Sequence, residues 1–145
     1  MFRPFYDGFI LSRVLWIGIF YRPGQYGANL MTQSLRWGIL GTGMIAAKFA
    51  ADLKYTSQGV LVASGSRRQQ TADSFAEKHG GRGIAGYEVL INDPDVDAVY
   101  ISLPNGLHAE WSIKAMEAGK DVLCEKPIAC NATEAETMFA AAERT

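Results

Sequence analysis

The sequence predicts an α/β fold built on a doubly wound parallel sheet, and three features support this prediction. Short apolar runs alternate with helical stretches from residue 35 onward, as in successive βαβ units. The first apolar run leads directly into a glycine-rich loop, GTGMIA over residues 41–46. The run AVYISL over residues 98–103 is apolar along nearly its whole length, which indicates a strand covered by helices on both faces. Together these features predict a Rossmann-type sheet.

Each predicted element follows from this alternation. Strands are predicted where β-branched and other apolar residues are concentrated, over residues 35–40, 60–63, 83–85, 98–103 and 121–124. Helices are predicted in the intervening stretches, over residues 44–54, 68–79, 87–91, 107–118 and 133–144. We expect the last helix to begin with a capping box formed by Thr133 and Glu136.

Length and charge limit the classes of function. A chain of 145 residues supports one domain of ordinary size. Its 14 basic and 15 acidic residues leave no basic surface for a nucleic acid or an anionic membrane. Cys124 and Cys130 are too few for a disulfide scaffold, and no Cys/His cluster has the spacing of a metal site. We therefore expect a small-molecule partner and a cytoplasmic location.

Residues 1–33 differ in composition from the rest of the chain. Eight of the 16 aromatic residues lie within the first 26 positions. The longest apolar run there, residues 14–21, is far shorter than the roughly 20 residues that a membrane helix needs. We expect this segment to be an N-terminal extension, either poorly ordered or upstream of a natural start at Met31, with a transit peptide as an alternative. The nucleotide-binding domain is predicted over residues 34–145.

The loop after the first strand has the G-x-G-x-x-G/A pattern of a dinucleotide site. Gly41 would permit the tight turn, and Gly43 would let the backbone approach a pyrophosphate. The helix that follows would point free N–H groups and its positive dipole end at the phosphates. The predicted cofactor contacts in this loop are Gly41, Thr42, Gly43, Met44 and Ile45.

The end of the second strand predicts which cofactor is bound. An acidic residue here would hold the adenosine ribose 2'-hydroxyl of NAD, but the sequence is SGSRR over residues 64–68. Guanidinium groups suit the 2'-phosphate of NADP because they offer a planar set of donors. Ser64, Ser66, Arg67 and Arg68 are therefore predicted contacts, and NADP is favoured over NAD. The alternative is that both arginines are merely solvated at a helix start.

Two further motifs stand at predicted strand ends: PNGLH over residues 104–108 and EKP over residues 125–127. With the glycine loop, they resemble the Gfo/Idh/MocA family of NAD(P)-dependent oxidoreductases over residues 35–145, nearest to its dihydrodiol and D-xylose dehydrogenase branch. The resemblance implies hydride transfer between nicotinamide and a secondary alcohol carbon of a sugar, an inositol or a cyclic diol.

The resemblance also implies roles for residues in these two motifs. Lys126 is the predicted catalytic residue, which contacts the substrate and the nicotinamide ribose and stabilises developing oxyanion charge. Glu125 would orient Lys126 or pair with it, and the Lys126–Pro127 peptide bond is expected to be cis. His108 is assigned to the cofactor site, with a packing or capping histidine as the alternative. The cofactor contacts implied here are Leu103, Pro104, Asn105, His108, Glu125, Lys126 and Pro127.

Proteins of this family carry a second α/β domain that closes over the nicotinamide and supplies a catalytic histidine. That substrate domain is absent from this chain, so we expect the chain alone to be inactive and the complete protein to form a homo-oligomer. One alternative function is a non-catalytic NAD(P)-binding sensor or a truncated gene product. Another is a methyltransferase that uses S-adenosylmethionine, but it would need an acid within residues 64–68, where none occurs.

Overall fold

The computed structural model describes residues 18–20 and 34–145, which form a sheet between two helical layers. The strands are β1 (Gly18–Phe20), β2 (Leu35–Leu40), β3 (Gly59–Ser66), β4 (Arg82–Ala85), β5 (Ala98–Ile101) and β6 (Asp121–Cys124). The helices are α1 (Met44–Leu53), α2 (Gln69–His79), α3 (Tyr87–Ile91), α4 (His108–Glu117) and α5 (Ala132–Arg144), with a 3-10 turn (Asn105–Leu107) before α4. Within the described ranges, none of these helices is both long and apolar enough to cross a membrane.

The sheet has the order β1-β6-β5-β2-β3-β4, which confirms the doubly wound fold. Every pairing among β2 to β6 is parallel, and β2 lies between β3 and β5. The chain therefore winds outward from β2 in one direction and then in the other. In such sheets, ligands bind beyond the carboxyl ends of the strands at the point where this direction reverses. Here that point lies between β2 and β5.

One edge of the sheet differs from the prediction. Strand β1 pairs antiparallel with β6, with Gly18 opposite Cys124 and Phe20 opposite Val122. The sheet is therefore mixed at this edge, and a part of the N-terminal extension contributes a strand that the sequence did not predict. The other residues of the extension lie outside the described ranges, so their predicted character stays a prediction.

The two faces of β5 show why its sequence is apolar throughout. Val99 and Ile101 pack into one core with residues of α3, α4 and α5, while Tyr100 packs into the opposite core with Ala46 and Phe75 of α1 and α2. All four residues of β5 are buried. The prediction of a strand covered on both faces is confirmed.

An ion pair holds β2 and β5 together at the amino ends of these strands. The Arg36 guanidinium donates to both Asp97 carboxylate oxygens, at 3.0 Å from Nε and 2.7 Å from Nη2. The Arg36 backbone N–H also donates to Asp97, at 2.9 Å. Burial acts to raise the pKa of Asp97, but these hydrogen bonds and the charge of Arg36 outweigh it, so the pKa is lowered.

Two strand ends differ from the sequence predictions by two residues or more, whereas the other boundaries agree to within one residue. Strand β3 continues to Ser66 because its last residues pair with β4, where Ser64 lies opposite Gly83. Strand β5 ends at Ile101, two residues earlier than predicted.

The cap of α5 is also different from the predicted one. Asn131, not Thr133, is the N-cap, and its Oδ1 accepts a hydrogen bond from the Glu134 N–H at 2.9 Å. Glu134 returns a contact by accepting from the Cys130 N–H at 2.9 Å. The predicted capping box is therefore wrong by two residues, because asparagine is an equally good cap and stands earlier.

Candidate cofactor site

The glycine loop follows β2 directly and is fixed on both sides by neighbouring strand ends. Gly41 has a φ of +103°, and a Cβ there would lie 2.9 Å from the Ser102 Oγ and 3.0 Å from the Ser102 carbonyl oxygen. Its N–H donates to the Gly65 carbonyl at 3.0 Å. A residue with a side chain fits neither this conformation nor this space. Gly41 thus holds the turn that starts the site.

Gly43 is used in a different way, as an open surface at the start of α1. A Cβ built on Gly43 would meet nothing within 4 Å. Gly43 is the N-cap of α1, no side chain caps the helix, and its first turn contains no acid. The first N–H groups of α1 are thus left for a ligand, and the helix dipole favours an anion. Next to them, Met44 is 92% exposed. The shape and donors fit a pyrophosphate.

Two arginine side chains follow the end of β3 and are exposed to solvent. Arg67 and Arg68 are exposed, and neither guanidinium is held by a hydrogen bond or an ion pair from the described residues. Ser66 lies beside them at the strand end and is 9% exposed. These groups lie at the same edge of the sheet as the glycine loop, because parallel strands end together. A phosphate bound there would meet donors that no acid of the described residues neutralises.

Ser64 is separate from this group. Its side chain has no exposed surface, and its Oγ has no hydrogen-bond partner among the described residues. The side chain is enclosed in this arrangement, and the contact between Ser64 and the cofactor stays a prediction. Sequence position alone placed it with Ser66 because β3 was predicted to end before it.

His108 joins the loops that follow β5 and β6. Its Nδ1 lies 2.8 Å from the Pro127 carbonyl oxygen, and its Nε2 lies 2.8 Å from the Leu103 carbonyl oxygen. The side chain is 1% exposed. Both ring nitrogens are therefore engaged by backbone, which agrees with the packing alternative for this residue. A direct contact between His108 and the cofactor stays a prediction. With both ring nitrogens engaged, His108 affects the site through the two loops that it holds.

Two residues of the loop that follows β5 are more exposed than His108. Pro104 and Asn105 are exposed, and the 3-10 turn at Asn105 brings the chain into α4. Leu103 is 7% exposed and packs into the core beneath them. This places Pro104 and Asn105 at the surface beyond the end of β5, where a ligand at the point of strand reversal would lie.

The EKP segment combines an exposed lysine with a buried carboxylate. Glu125 is 7% exposed, and its Oε1 accepts a hydrogen bond from the Tyr100 hydroxyl. Its Oε2 accepts from the backbone N–H of Lys126 at 3.1 Å, while the Lys126 side chain is exposed. The Lys126–Pro127 peptide bond is cis, as predicted. Glu125 thus holds the backbone of Lys126 rather than pairing with its ammonium group.

Tyr100 is a residue that the motif analysis missed. Burial, followed by hydrogen bonding to the charged Glu125, raises its pKa well above the ordinary value of 10.0, so the phenol stays neutral and donates. The available signal was a single hydroxyl within the otherwise apolar run of β5. Burial likewise raises the pKa of Cys124 to about 11, which keeps this thiol protonated and unreactive near neutral pH.

Comparison with known proteins identifies the same nucleotide-binding domain that the sequence predicts. The family model described as an oxidoreductase family with an NAD-binding Rossmann fold matches residues 35–145. Trans-1,2-dihydrobenzene-1,2-diol dehydrogenase of Danio rerio is 38% identical over 115 residues, which cover 77% of this chain and 34% of the relative. D-xylose 1-dehydrogenase (NADP+) 2 of Haloferax volcanii is 40% identical over 106 residues, covering 72% and 33%.

A solved structure shows the same fold at similar identity. It is a 3-ketoreductase from Actinomadura kijaniata in complex with NADP and TDP-benzene, with 40% identity and a TM-score of 0.75. The match covers 77% of this chain and 35% of that chain. The chain thus spans about a third of the length of the relatives it matches.

Proposed function

The chain belongs to the Gfo/Idh/MocA oxidoreductase family through its NAD-binding Rossmann domain, and from this premise we propose that it binds NADP for hydride transfer to or from a secondary alcohol carbon. Family membership confirms the resemblance predicted from the three motifs. The observation that supports the proposal best is the open start of α1 at Gly43, which has no acid or side-chain cap. A pyrophosphate fits there without displacing an internal partner.

The choice of NADP over NAD rests on the end of β3. Among the described residues, the exposed Arg67 and Arg68 have no hydrogen-bond or ion-pair partner, so they are available to bind the adenosine 2'-phosphate, together with Ser66. The solved ketoreductase from Actinomadura kijaniata was in complex with NADP, and the Haloferax volcanii enzyme is named as NADP-dependent. Bound NADP supplies the hydride chemistry, while the chain supplies binding and orientation.

Lys126 is the proposed catalytic residue. Its exposed ammonium group follows β6, next to the strand ends where the nicotinamide would lie beside Leu103, Pro104 and Asn105. A positive charge there stabilises negative charge that develops on the substrate oxygen during hydride transfer.

The substrate class comes from the relatives. The named relatives act on a dihydrodiol and on D-xylose, and the solved ketoreductase holds TDP-benzene. We extend the proposal to a secondary alcohol of a sugar, an inositol or a cyclic diol, acted on by a longer cytoplasmic protein that assembles as a homo-oligomer. A second domain would supply most of the substrate contacts, so the 145-residue chain alone is proposed to bind cofactor without turnover.

The test is a titration of the chain with NADPH and with NADH, followed by nicotinamide fluorescence. Arg67→Glu should weaken NADPH binding by about 100-fold, because charge reversal beside the 2'-phosphate replaces attraction with repulsion. NADH binding should change by less than about threefold. Lys78→Glu, a charge reversal at the far end of α2, is the matched control. Equal losses of both nucleotides would exclude the 2'-phosphate role, and a wild-type chain that binds neither would overturn the proposed function.

A further inference from the structure

The presentation of Lys126 depends on a buried side chain outside the predicted site. Tyr100 is 2% exposed and lies on β5, whereas Glu125 and Lys126 follow the neighbouring strand β6. The Tyr100 hydroxyl donates to one Glu125 oxygen, and the other Glu125 oxygen accepts the Lys126 N–H at 3.1 Å. We propose that Tyr100 is a positioning residue for Lys126, acting through the Glu125 carboxylate; this rests on the function proposed above.

The Tyr100 ring is held independently of Glu125. It stacks on Phe49 of α1 with ring centroids 4.1 Å apart and an interplanar angle of 23°. Phe49 in turn meets Trp37 edge to face at 5.2 Å. Packing against Phe49, which is itself held by Trp37, leaves the Tyr100 ring little freedom. The hydroxyl is therefore a fixed donor at the end of a rigid stack.

The Glu125 carboxylate needs this donor. A buried carboxylate is costly unless its oxygens are hydrogen-bonded, and among the described residues each Glu125 oxygen has one donor: the Tyr100 hydroxyl for one and the Lys126 N–H for the other. Without the Tyr100 hydroxyl, the Glu125 carboxylate is more stable when it turns toward water. It then releases the Lys126 N–H, and the backbone from which the lysine side chain extends is no longer fixed.

Packing alone does not explain a tyrosine here. A phenylalanine would keep the ring, its stack on Phe49 and its place in the core, and would avoid burying a hydroxyl. The hydroxyl is directed at the one carboxylate that touches the EKP backbone. Because Tyr100 is enclosed, it acts on the cofactor and substrate only through Glu125 and Lys126.

The experiment measures the position of Lys126 with a reactive cofactor analogue. Periodate opens only the nicotinamide ribose of NADP+, because the 2'-phosphate blocks the diol of the adenosine ribose. The resulting dialdehyde condenses with a nearby lysine amine, releasing water to form an imine that borohydride reduces to a stable secondary amine. Mass spectrometry of the digested 145-residue chain gives the rate at which the Lys126 peptide is labelled at a saturating concentration.

Tyr100→Phe should lower this labelling rate by about fivefold to tenfold, with NADP+ affinity changed by less than about twofold. Tyr87→Phe, which removes a hydroxyl from a half-buried tyrosine packed against Trp111, is the matched control and should label at the wild-type rate. An unchanged rate in Tyr100→Phe overturns the proposal. A wild-type chain that neither binds NADP+ nor labels at Lys126 instead overturns the proposed function.

A second variant separates positioning from general loosening of the core. Glu125→Gln should reduce labelling by a similar factor, and Tyr100→Phe should have little further effect in that background, because both changes break one linkage. Independent, multiplicative losses would mean that Tyr100 does not act through Glu125 and would overturn the inference. Hydrogen exchange of the Lys126 amide gives a readout without the analogue: it should accelerate in both single variants and stay unchanged in Tyr87→Phe.

Discussion

The two ends of the candidate site are organised in opposite ways. The end proposed to bind the adenosine and pyrophosphate groups, here called the adenosine end, comprises residues 41–45 and 66–68. It presents exposed backbone donors and two guanidinium groups that have no partner among the described residues. The end proposed to bind the nicotinamide, here called the nicotinamide end, comprises residues 103–108 and 125–127. Its loops are held together by hydrogen bonds of His108 and Glu125, which are both buried. The hydrogen-bond donors of the first end gain partners only when a ligand binds. The second holds its geometry through internal hydrogen bonds.

Because of this difference, cofactor affinity and the position of Lys126 should depend on different ends of the site. At the adenosine end, Gly43, Arg67 and Arg68 are exposed, so changes at these three residues should alter cofactor affinity with little effect on folding. Gly41 is the exception, because it is buried against Ser102. At the nicotinamide end, the groups that fix the loops are also part of the buried structure. Changes there should alter stability and the placement of Lys126 together.

The largest expected effect tests the catalytic assignment of Lys126. In a protein that carries this domain together with a substrate domain, Lys126→Ala should lower kcat by about 100-fold to 1,000-fold, because an electrostatic partner of the developing oxyanion is lost. The affinity for NADPH should stay within about threefold. Steady-state kinetics and NADPH titration check both values. A kcat close to wild type would remove Lys126 from the catalytic role.

Two glycines give a sharper contrast within the adenosine end. Gly41→Ala should lower the free energy of unfolding by about 2–4 kcal/mol, because the Cβ meets Ser102 and φ is positive. Gly43→Val has open space at its Cβ and should leave the unfolding free energy within about 1 kcal/mol. It should nevertheless weaken NADPH binding by about 30-fold, since the side chain fills the pyrophosphate cradle.

Urea unfolding and NADPH titration of the two glycine variants give the required measurements. If Gly43→Val binds NADPH as the wild-type chain does, the open space at the start of α1 is not the pyrophosphate site.

His108 tests whether the nicotinamide end is held from within. His108→Leu should lower the free energy of unfolding by about 2–3 kcal/mol, because the Leu103 and Pro127 carbonyl groups lose their buried partner. Urea unfolding measures this loss, and His79→Leu, at the partly exposed C-terminal end of α2, is the control for a histidine replacement. Equal stability of the two variants would mean that the His108 contacts do not hold the loops.

The smallest expected effect lies at the opposite end of the sheet. Asp97→Asn should cost about 1 kcal/mol at pH 7, because the ion pair with Arg36 is partly exposed, and should leave NADPH affinity unchanged. The pKa of Asp97 is lower in the folded chain than its ordinary 3.8. Its contribution to the free energy of unfolding is therefore complete above pH 3.8. It is lost as the pH falls through the lowered pKa.

Urea unfolding between pH 7 and pH 3 follows the Asp97 contribution directly. The difference between wild type and Asp97→Asn should shrink toward the acid end. A difference that stays constant over this range would show that the Arg36–Asp97 pair does not contribute through its charge.

Local sequence was enough for most of the fold and for the placement of the motifs. Strand β6 and helix α3 have the predicted bounds, because apolar runs and turn residues define them without help from distant residues. The glycine loop and residues 66–68 reach the same sheet edge because parallel strands impose that arrangement. The errors lie where pairing matters: β3 is extended by β4, and β1 comes from the apolar run of residues 14–21, which was interpreted only as part of an extension.

The amino-acid sequence by itself determined the alternating elements, the order in which they wind and the chemistry of the exposed loops. Only the tertiary structure decided which buried groups support those loops. Tyr100 meets Glu125 across 25 residues of sequence, and His108 meets Pro127 across 19. Such partnerships depend on β5 and β6 lying side by side in register, which brings distant polar atoms within hydrogen-bond distance where water is excluded.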